Sequence, residues 1–201
     1  RAALAPLLDR AGVPLQVVTA AGAAARIDAL LPVPGEGTRA RLVNAALAAA
    51  CTDLVCILDD TIAVTEADWL DELLGRAAAA DVAAVAPVIA GREGLVRHAG
   101  AVLGPGFAVA PAFADAVPRD PGHAGTLAVA HEVSALLPGC ILYRRRAFHD
   151  VGGMDEARFP DALADADLCL RLRRAGGRVI VTPHARLVDT RGAFPPPSGR
   201  A

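Results

Sequence analysis

A run of five apolar residues that ends in two adjacent carboxylates does most to constrain the fold of this chain. The segment Leu54-Val-Cys-Ile-Leu-Asp-Asp-Thr61 predicts a strand buried on both faces, with Asp59 and Asp60 at its C-terminal end. Ligands bind at that edge of open α/β sheets. Two interpretations stay open: the carboxylates hold a divalent cation with a phosphorylated substrate, or they form a turn and cap the next helix.

Length and composition indicate one globular domain of ordinary size. The chain has 201 residues, of which 54% are hydrophobic, and its charges are dispersed, so we expect a substantial core. A formal net charge of -2 and 3% aromatic residues argue against nucleic acid as the ligand. Every apolar run is shorter than the roughly 20 residues that a membrane helix needs. We therefore expect a cytoplasmic domain, in which membrane association would depend on regions outside this segment.

The cysteines and histidines show no metal-binding spacing. The four cysteines lack a Cys-x-x-Cys pair, and two of them lie in apolar patterns, so reduced core thiols are expected. The histidines form no zinc triad at any standard spacing. The chain also opens at Arg1 without an initiator methionine, which predicts that it belongs to a longer protein with further domains.

Predicted strands and helices alternate along the chain. Helices are expected at residues 2–11, 27–31, 38–50, 65–80, 144–151 and 161–175, and strands at 14–19, 54–58, 82–89, 95–104, 132–143 and 178–181. This alternation predicts an α/β fold, an αβα sandwich around a mostly parallel sheet. Residues 105–126 form a loop long enough to be functional or disordered. A single domain would span residues 1–192, and residues 193–201 would be a proline-rich exit linker.

Four segments together resemble the family 2 glycosyltransferases of the GT-A fold, and in particular the branch with rhamnosyltransferases of polysaccharide assembly. They are RLVNAALAAACTDLVCILDD at 41–60, Asp68-Trp69-Leu70, RHAGAVLG at 97–104, and CILYRRRAFHDVGGMDEARFPDALADADLCLRLRRAGGRVIVTPHARL from Cys140. The resemblance implies a Rossmann-like GT-A domain. It also implies sugar transfer with inversion from a nucleoside-diphosphate donor to a glycan, lipid-linked or small-molecule acceptor.

The resemblance further implies roles for single residues. The family's Asp-x-Asp element falls on Asp59, Asp60 and Thr61, so a threonine stands at the usual ligand position and Asp60 would hold Mn²⁺ or Mg²⁺. A histidine that completes this metal site in many relatives falls on Asp189, for which a plain turn at a strand end is the alternative. The family's catalytic base falls on Asp165, which could instead stabilise the first turn of a helix.

Donor and acceptor contacts are implied in the same way. Arg39, Arg41 and Asn44 fall where relatives contact the diphosphate or base of the donor, although the arginines could be solvated helix charges. His98 would lie on the acceptor side, or would be a buried polar group beside the acceptor groove. The nucleobase-binding residues of the family have no counterpart, because the chain begins after their strand. Together with Thr61, this loss leaves a second hypothesis open, a degenerate and inactive binding or scaffold domain.

Overall fold

A computed structural model describes residues 16–19, 37–104, 109–117 and 120–191 of the chain. Helices within these ranges are α1 (Arg39–Ala49), α2 (Trp69–Ala77), α3 (Arg145–Asp150) and α4 (Ala164–Arg174). The strands are β1 (Gln16–Thr19), β2 (Leu54–Leu58), β3 (Ile62–Val64), β4 (Val82–Gly91), β5 (Val96–His98), β6 (Ala101–Leu103), β7 (Val109–Pro111), β8 (His131–Glu132), β9 (Cys140–Arg144) and β10 (Arg178–Asp189). The helices predicted at 2–11 and 27–31 and the linker predicted at 193–201 lie outside the described residues.

One sheet organises the domain, and it is mixed. Its strand order is β1-β2-β9-β4-β10-β3, with β5 beside β4 and β8 beside β10. Strands β1, β2, β4 and β10 run in one direction, whereas β9 lies between β2 and β4 and is antiparallel to both. The α/β sandwich is confirmed, but the expectation of a mostly parallel sheet is corrected. A central strand buried on both faces has the same apolar pattern whichever way it runs.

Helices cover both faces of this sheet, because alternate residues of each central strand point to opposite sides. Val55 and Ile57 of β2 belong to the core cluster under α1 and α4. Cys56 and Leu58 of the same strand belong to the cluster under α2, which includes the fully buried Trp69. The two clusters form the two halves of an αβα sandwich.

Two features place residues at the C-terminal edge of the sheet. Strand β10 continues well past the predicted end at residue 181, and its register against β4 shifts between Thr182 and Arg186, where Pro183 lies. Asp189 is thereby carried to the edge opposite Gly91 of β4. The second feature is the start of α1. There the Thr38 hydroxyl accepts a hydrogen bond of 3.4 Å from the backbone N–H of Arg41 and caps the helix.

The described parts of the segment between β5 and β9 differ from the sequence-based expectation. The strand expected at residues 95–104 is divided at Gly100, whose φ is +82° and where a Cβ would lie 3.2 Å from the backbone oxygen of Ala135. Strand β7 lies within the expected loop and pairs antiparallel with β6. In the ranges given above, no helix is both long and apolar enough to cross a bilayer.

Candidate functional site

A cleft of about 200 Å³ opens where β2 reaches the C-terminal edge of the sheet. It is lined by residues from the start of α1, the end of β2 and the segment after β10: Arg39, Leu42, Val43, Asp59, Asp60, Thr61 and Arg191. Strands β2 and β10 run in the same direction, so their C-terminal ends meet at this edge. Polar residues that are far apart in the sequence therefore converge in one place.

Arg39 is the centre of the polar network in this cleft. Its Nε and Nη2 donate to the two carboxylate oxygens of Asp165 at 2.6 and 3.0 Å, and its Nη1 donates to Oδ1 of Asp59 at 3.1 Å. Burial alone would lower the pKa of Arg39, but the charges of Asp165 and Asp59 outweigh burial and raise the pKa. Arg39 therefore stays a cation and links helix α4 to the end of β2.

Two further residues hold this network in position. The hydroxyl of Tyr143, on β9, donates to Oδ1 of Asp165 at 3.1 Å, and burial raises the pKa of Tyr143, which keeps it a donor. Asp161 accepts a hydrogen bond of 2.8 Å from the backbone N–H of Arg39. Asp165 is buried, with 3% of its surface exposed, and receives three hydrogen bonds from side chains. Its carboxylate is oriented by its surroundings.

The three residues at the end of β2 have different environments. Asp59 is largely buried, and burial raises its pKa against the opposing effect of Arg39. Asp60 is exposed to solvent. The Oγ1 atom of Thr61 is buried and has no hydrogen-bond partner among the described residues. This site therefore offers a paired carboxylate, an accessible carboxylate and an unsatisfied hydroxyl.

Asp189 is enclosed between two arginines. The N–H, Nε and Nη2 of Arg191 all donate to its carboxylate, with distances from 2.8 to 3.1 Å, and Nη1 of Arg97 lies 3.9 Å from its Oδ2. Burial opposes ionisation, but the hydrogen bonds from Arg191 outweigh it and lower the pKa of Asp189. Arg97 also donates to the backbone oxygen of Arg191 at 2.5 Å. Asp189 is thus a counterion for arginine side chains.

These contacts do not fit the divalent-cation site predicted at Asp60 and Asp189. Across the described residues, no group of three or more His, Cys, Asp or Glu side chains is placed to hold a metal. Asp189 is bound by Arg191 and Asp59 by Arg39, which leaves Asp60 as the carboxylate open to solvent. Two guanidinium groups also line the cleft and offset the formal charge of Asp59 and Asp60.

Arg41 and Asn44 lie on α1 but play different parts from Arg39. Arg41 is exposed to solvent. The amide of Asn44 accepts from the backbone N–H of Met154 at 2.8 Å and donates to the backbone oxygen of Met154 at 3.0 Å and to Glu156 at 2.8 Å. In this structure Asn44 anchors the Gly-Gly-x-Asp-Glu turn, and donor binding by these two residues stays a prediction.

His98 is buried, with 4% of its surface exposed, and its Nε2–H donates to the backbone oxygen of Pro138 at 3.0 Å. A carbonyl oxygen can only accept, which fixes this tautomer. Burial lowers the pKa of His98 to about 4, so the ring is neutral near pH 7. His98 supports the segment that precedes β9, and its role toward an acceptor stays a prediction.

Sequence reasoning missed Arg97, Tyr143, Asp161 and Arg191. Tyr143 had a usable signal, because a hydroxyl on a strand buried on both faces needs a polar partner. The partner lies on α4, which packs on the same face of the sheet as the Tyr143 side chain, and spacing in the sequence does not reveal it. Arg191 follows Asp189 by two residues, a pattern too common to indicate a site.

Known proteins resemble this chain in sequence and in fold. The chain is 34% identical over 156 residues to the O-antigen biosynthesis protein RfbC of Myxococcus xanthus, covering 75% of the chain and 12% of that protein. It is 32% identical over 147 residues to the pre-mycofactocin glycosyltransferase of Mycobacterium tuberculosis, covering 71% of the chain and 28% of that protein. No family model matches the chain.

The fold also matches a solved structure of GalNAc-T7 with UDP, GalNAc and Mn²⁺. The TM-score is 0.61 at 11% sequence identity, over 81% of this chain and 32% of that chain. The fold is that of a GT-A domain. Its sequence relatives narrow the class, and the chain belongs to the family 2 glycosyltransferases. It spans between 12% and 28% of the length of the two sequence relatives described above.

Proposed function

We propose that this domain binds a nucleoside-diphosphate sugar in the cleft at the end of β2 and transfers the sugar to an acceptor hydroxyl. The observation that carries the proposal is the network in which Arg39 joins Asp165 to Asp59. Arg39 and Asp165 are 126 positions apart in the sequence, yet they meet with short distances beside a cleft. The names of the relatives, an O-antigen biosynthesis protein and a glycosyltransferase, support the same activity.

The chemical step is a displacement at the anomeric carbon of the donor sugar. The acceptor oxygen forms a new bond to that carbon while the bond from the carbon to the diphosphate oxygen breaks. The diphosphate leaves with the electron pair, and the proton of the acceptor hydroxyl passes to Asp165. Attack from the face opposite the leaving group inverts the anomeric configuration.

The geometry around Asp165 supports its role as the base. Oδ1 accepts from both Arg39 and Tyr143, whereas Oδ2 accepts the 2.6 Å bond from Nε of Arg39. Each carboxylate oxygen has two lone pairs, so Oδ2 retains acceptor capacity for a substrate hydroxyl. Fixing the carboxylate in one orientation lowers the entropy cost of positioning it for proton transfer.

For the acceptor we propose a glycan or a lipid-linked sugar. The support is the similarity to RfbC, an O-antigen biosynthesis protein. Mn²⁺ was present in the structure of GalNAc-T7. For this chain the described residues do not fit a cation site, so the proposed step uses no metal.

The test is turnover by the full-length protein with UDP-, dTDP- and GDP-sugars, with release of the nucleoside diphosphate as the readout. Asp165→Asn should abolish release that depends on acceptor and leave nucleotide binding within about twofold, because the amide cannot accept the proton. Turnover retained by Asp165→Asn would show that another group is the base. Failure of the full-length protein to bind any of these nucleotides, with or without Mn²⁺, would contradict the proposed function.

A further inference from the structure

We infer that the guanidinium of Arg191, held by Asp189, binds the donor diphosphate and supplies the positive charge that a divalent cation would otherwise bring. The inference rests on the function proposed above and names how the donor is held. It concerns a residue to which the family resemblance gives no role. Its consequence is that donor binding does not require a metal.

Arg191 is fixed at the wall of the cleft. Its Nε and Nη2 bind the carboxylate of Asp189 at 2.8 to 3.1 Å, and its backbone N–H donates to the same group at 2.9 Å. The side chain of Asp189 is 2% exposed, whereas that of Arg191 is 48% exposed. The carboxylate therefore anchors one side of the guanidinium while the group as a whole remains accessible from the cleft. A planar guanidinium held in this way suits the oxygens of a diphosphate.

Arg97 strengthens this arrangement from behind. It is 8% exposed, lies within 3.9 Å of Asp189 and donates to the backbone oxygen of Arg191. The position that would complete a metal site by the family resemblance is thus occupied by a carboxylate bound to two guanidinium groups. Asp189 serves as a positioning residue for Arg191.

The charged side chains that line the cleft lack the excess negative charge of a typical cation site. Its charged lining residues are Arg39, Arg191, Asp59 and Asp60, so their formal charges cancel. A cation site built from the same two aspartates alone would have a net charge of about −2, which a divalent ion would neutralise. Here the two guanidiniums already neutralise it. Arg39 is bound to Asp165 and Asp59, so Arg191 is the more accessible of the two for an incoming diphosphate.

The properties of Thr61 also favour a site without a metal. Its buried Oγ1 has no hydrogen-bond partner among the described residues, although Thr61 lines the cleft. As a neutral oxygen, Oγ1 is a weaker ligand for a hard cation than the carboxylate expected at that position.

The experiment is calorimetric titration of the full-length protein with UDP, dTDP and GDP, in EDTA and again in Mn²⁺. At least one nucleotide should bind in EDTA, with an affinity within about twofold of that in Mn²⁺. Arg191→Gln should weaken this binding by about tenfold or more, the usual loss for a charge-assisted hydrogen bond to phosphate. Arg146→Gln, at a 90% exposed arginine on α3, is the matched control and should bind as the parent does.

Asp60→Asn keeps the test informative if Arg191→Gln fails to fold. Removing a negative charge from the cleft should leave nucleotide binding equal or tighter, both in EDTA and in Mn²⁺, whereas a metal ligand at Asp60 would make the variant lose the binding that the parent shows in Mn²⁺. Loss of binding in Asp60→Asn, or binding of the parent only with Mn²⁺, would overturn the inference and leave the proposed function standing. Absence of binding in both conditions would overturn both.

Discussion

Arg39 and Asp165 form a two-point contact, with Nε to Oδ2 at 2.6 Å and Nη2 to Oδ1 at 3.0 Å, between the first residue of α1 and the first turn of α4. The contact crosses from one helix to another over the end of β2. Because both side chains are largely buried, it affects the stability of the domain as well as its proposed chemistry.

Replacing Arg39 should destabilise the domain strongly. Arg39→Met removes two of the three donors that Asp165 receives and leaves a buried carboxylate poorly compensated, so the free energy of unfolding should fall by about 3–5 kcal/mol. Urea denaturation measures this loss. The double variant Arg39→Met with Asp165→Leu removes both charges and should recover much of it, whereas additive losses would show that the two side chains are not coupled.

The free energy of unfolding should fall as the pH is lowered, because His98 is buried in its neutral form. In the folded protein the pKa of His98 is lowered from 6.5 to about 4 by burial, so below pH 6.5 the unfolded chain binds a proton that the folded chain does not. The stabilisation is therefore complete above pH 6.5 and is lost as the pH falls toward 4, by about 3 kcal/mol in total. Denaturation between pH 4 and pH 7 measures it.

In His98→Gln the free energy of unfolding should fall less between pH 7 and pH 4 than in the parent, since glutamine does not titrate. Asp189 also stabilises the folded protein when ionised, because its pKa is lowered. That contribution is lost only at still lower pH, and it should be lost equally in the parent and in His98→Gln. His123→Gln, at an exposed histidine, is the control and should follow the parent curve. If the free energy of unfolding falls equally in His98→Gln and in the parent over this pH range, the role assigned to His98 is wrong.

Replacing Leu163 by glycine should stabilise the domain. It precedes α4 with φ +66° and ψ −1°, a left-handed conformation that is unfavourable for leucine, and its surface is 43% exposed. Leu163→Gly should raise the free energy of unfolding by up to about 1 kcal/mol, because glycine adopts this conformation without steric cost. Leu103→Gly, at an exposed leucine on β6, should have the opposite sign. Equal destabilisation by both changes would refute the interpretation.

The two glycines after α3 should respond differently to alanine. Gly152 has φ +83° with open space around a Cβ, whereas Gly153 has φ +70° and a Cβ there would lie 2.8 Å from Oδ1 of Asn44. Both substitutions cost about 1 kcal/mol for the backbone. Gly153→Ala should cost a further 1–3 kcal/mol or so, because it disturbs the bonds from Asn44 to Met154. Thermal or urea unfolding of the pair checks this, and equal losses would exclude the contact.

Local patterns predicted most of the elements of the described chain, because helix periodicity, caps and apolar strand runs are local signals. The strand at 54–58 and the helix capped by Thr38 lie where the sequence places them. Strand direction was not predictable from the apolar run of β9, and neither was the bend that carries β10 on to Asp189. Both depend on which strands become neighbours.

The site was predictable in part for the same reason. Asp59, Asp60 and Arg39 were identified from the sequence, and the structure places them in one cleft. The partners of Asp189 and Asp165 were not predictable. Arg191 follows Asp189 by two residues, a spacing too common to indicate a site, and Tyr143 meets Asp165 only after the sheet has formed. The prediction of a cation at Asp60 and Asp189 came from the family resemblance, which gives no role to the arginine that binds Asp189.

The position of β9 bears on how the protein is made. Strand β9 fills the space between β2 and β4, yet ribosomes synthesise residues 140–144 about fifty residues after β4 is complete. Until then β2 and β4 each have an unpaired edge of apolar strand, the kind of edge that pairs with other chains. A growing chain is therefore exposed to aggregation during this interval, and a variant that slows the arrival of β9 would lower the yield of protein even where the folded domain is stable.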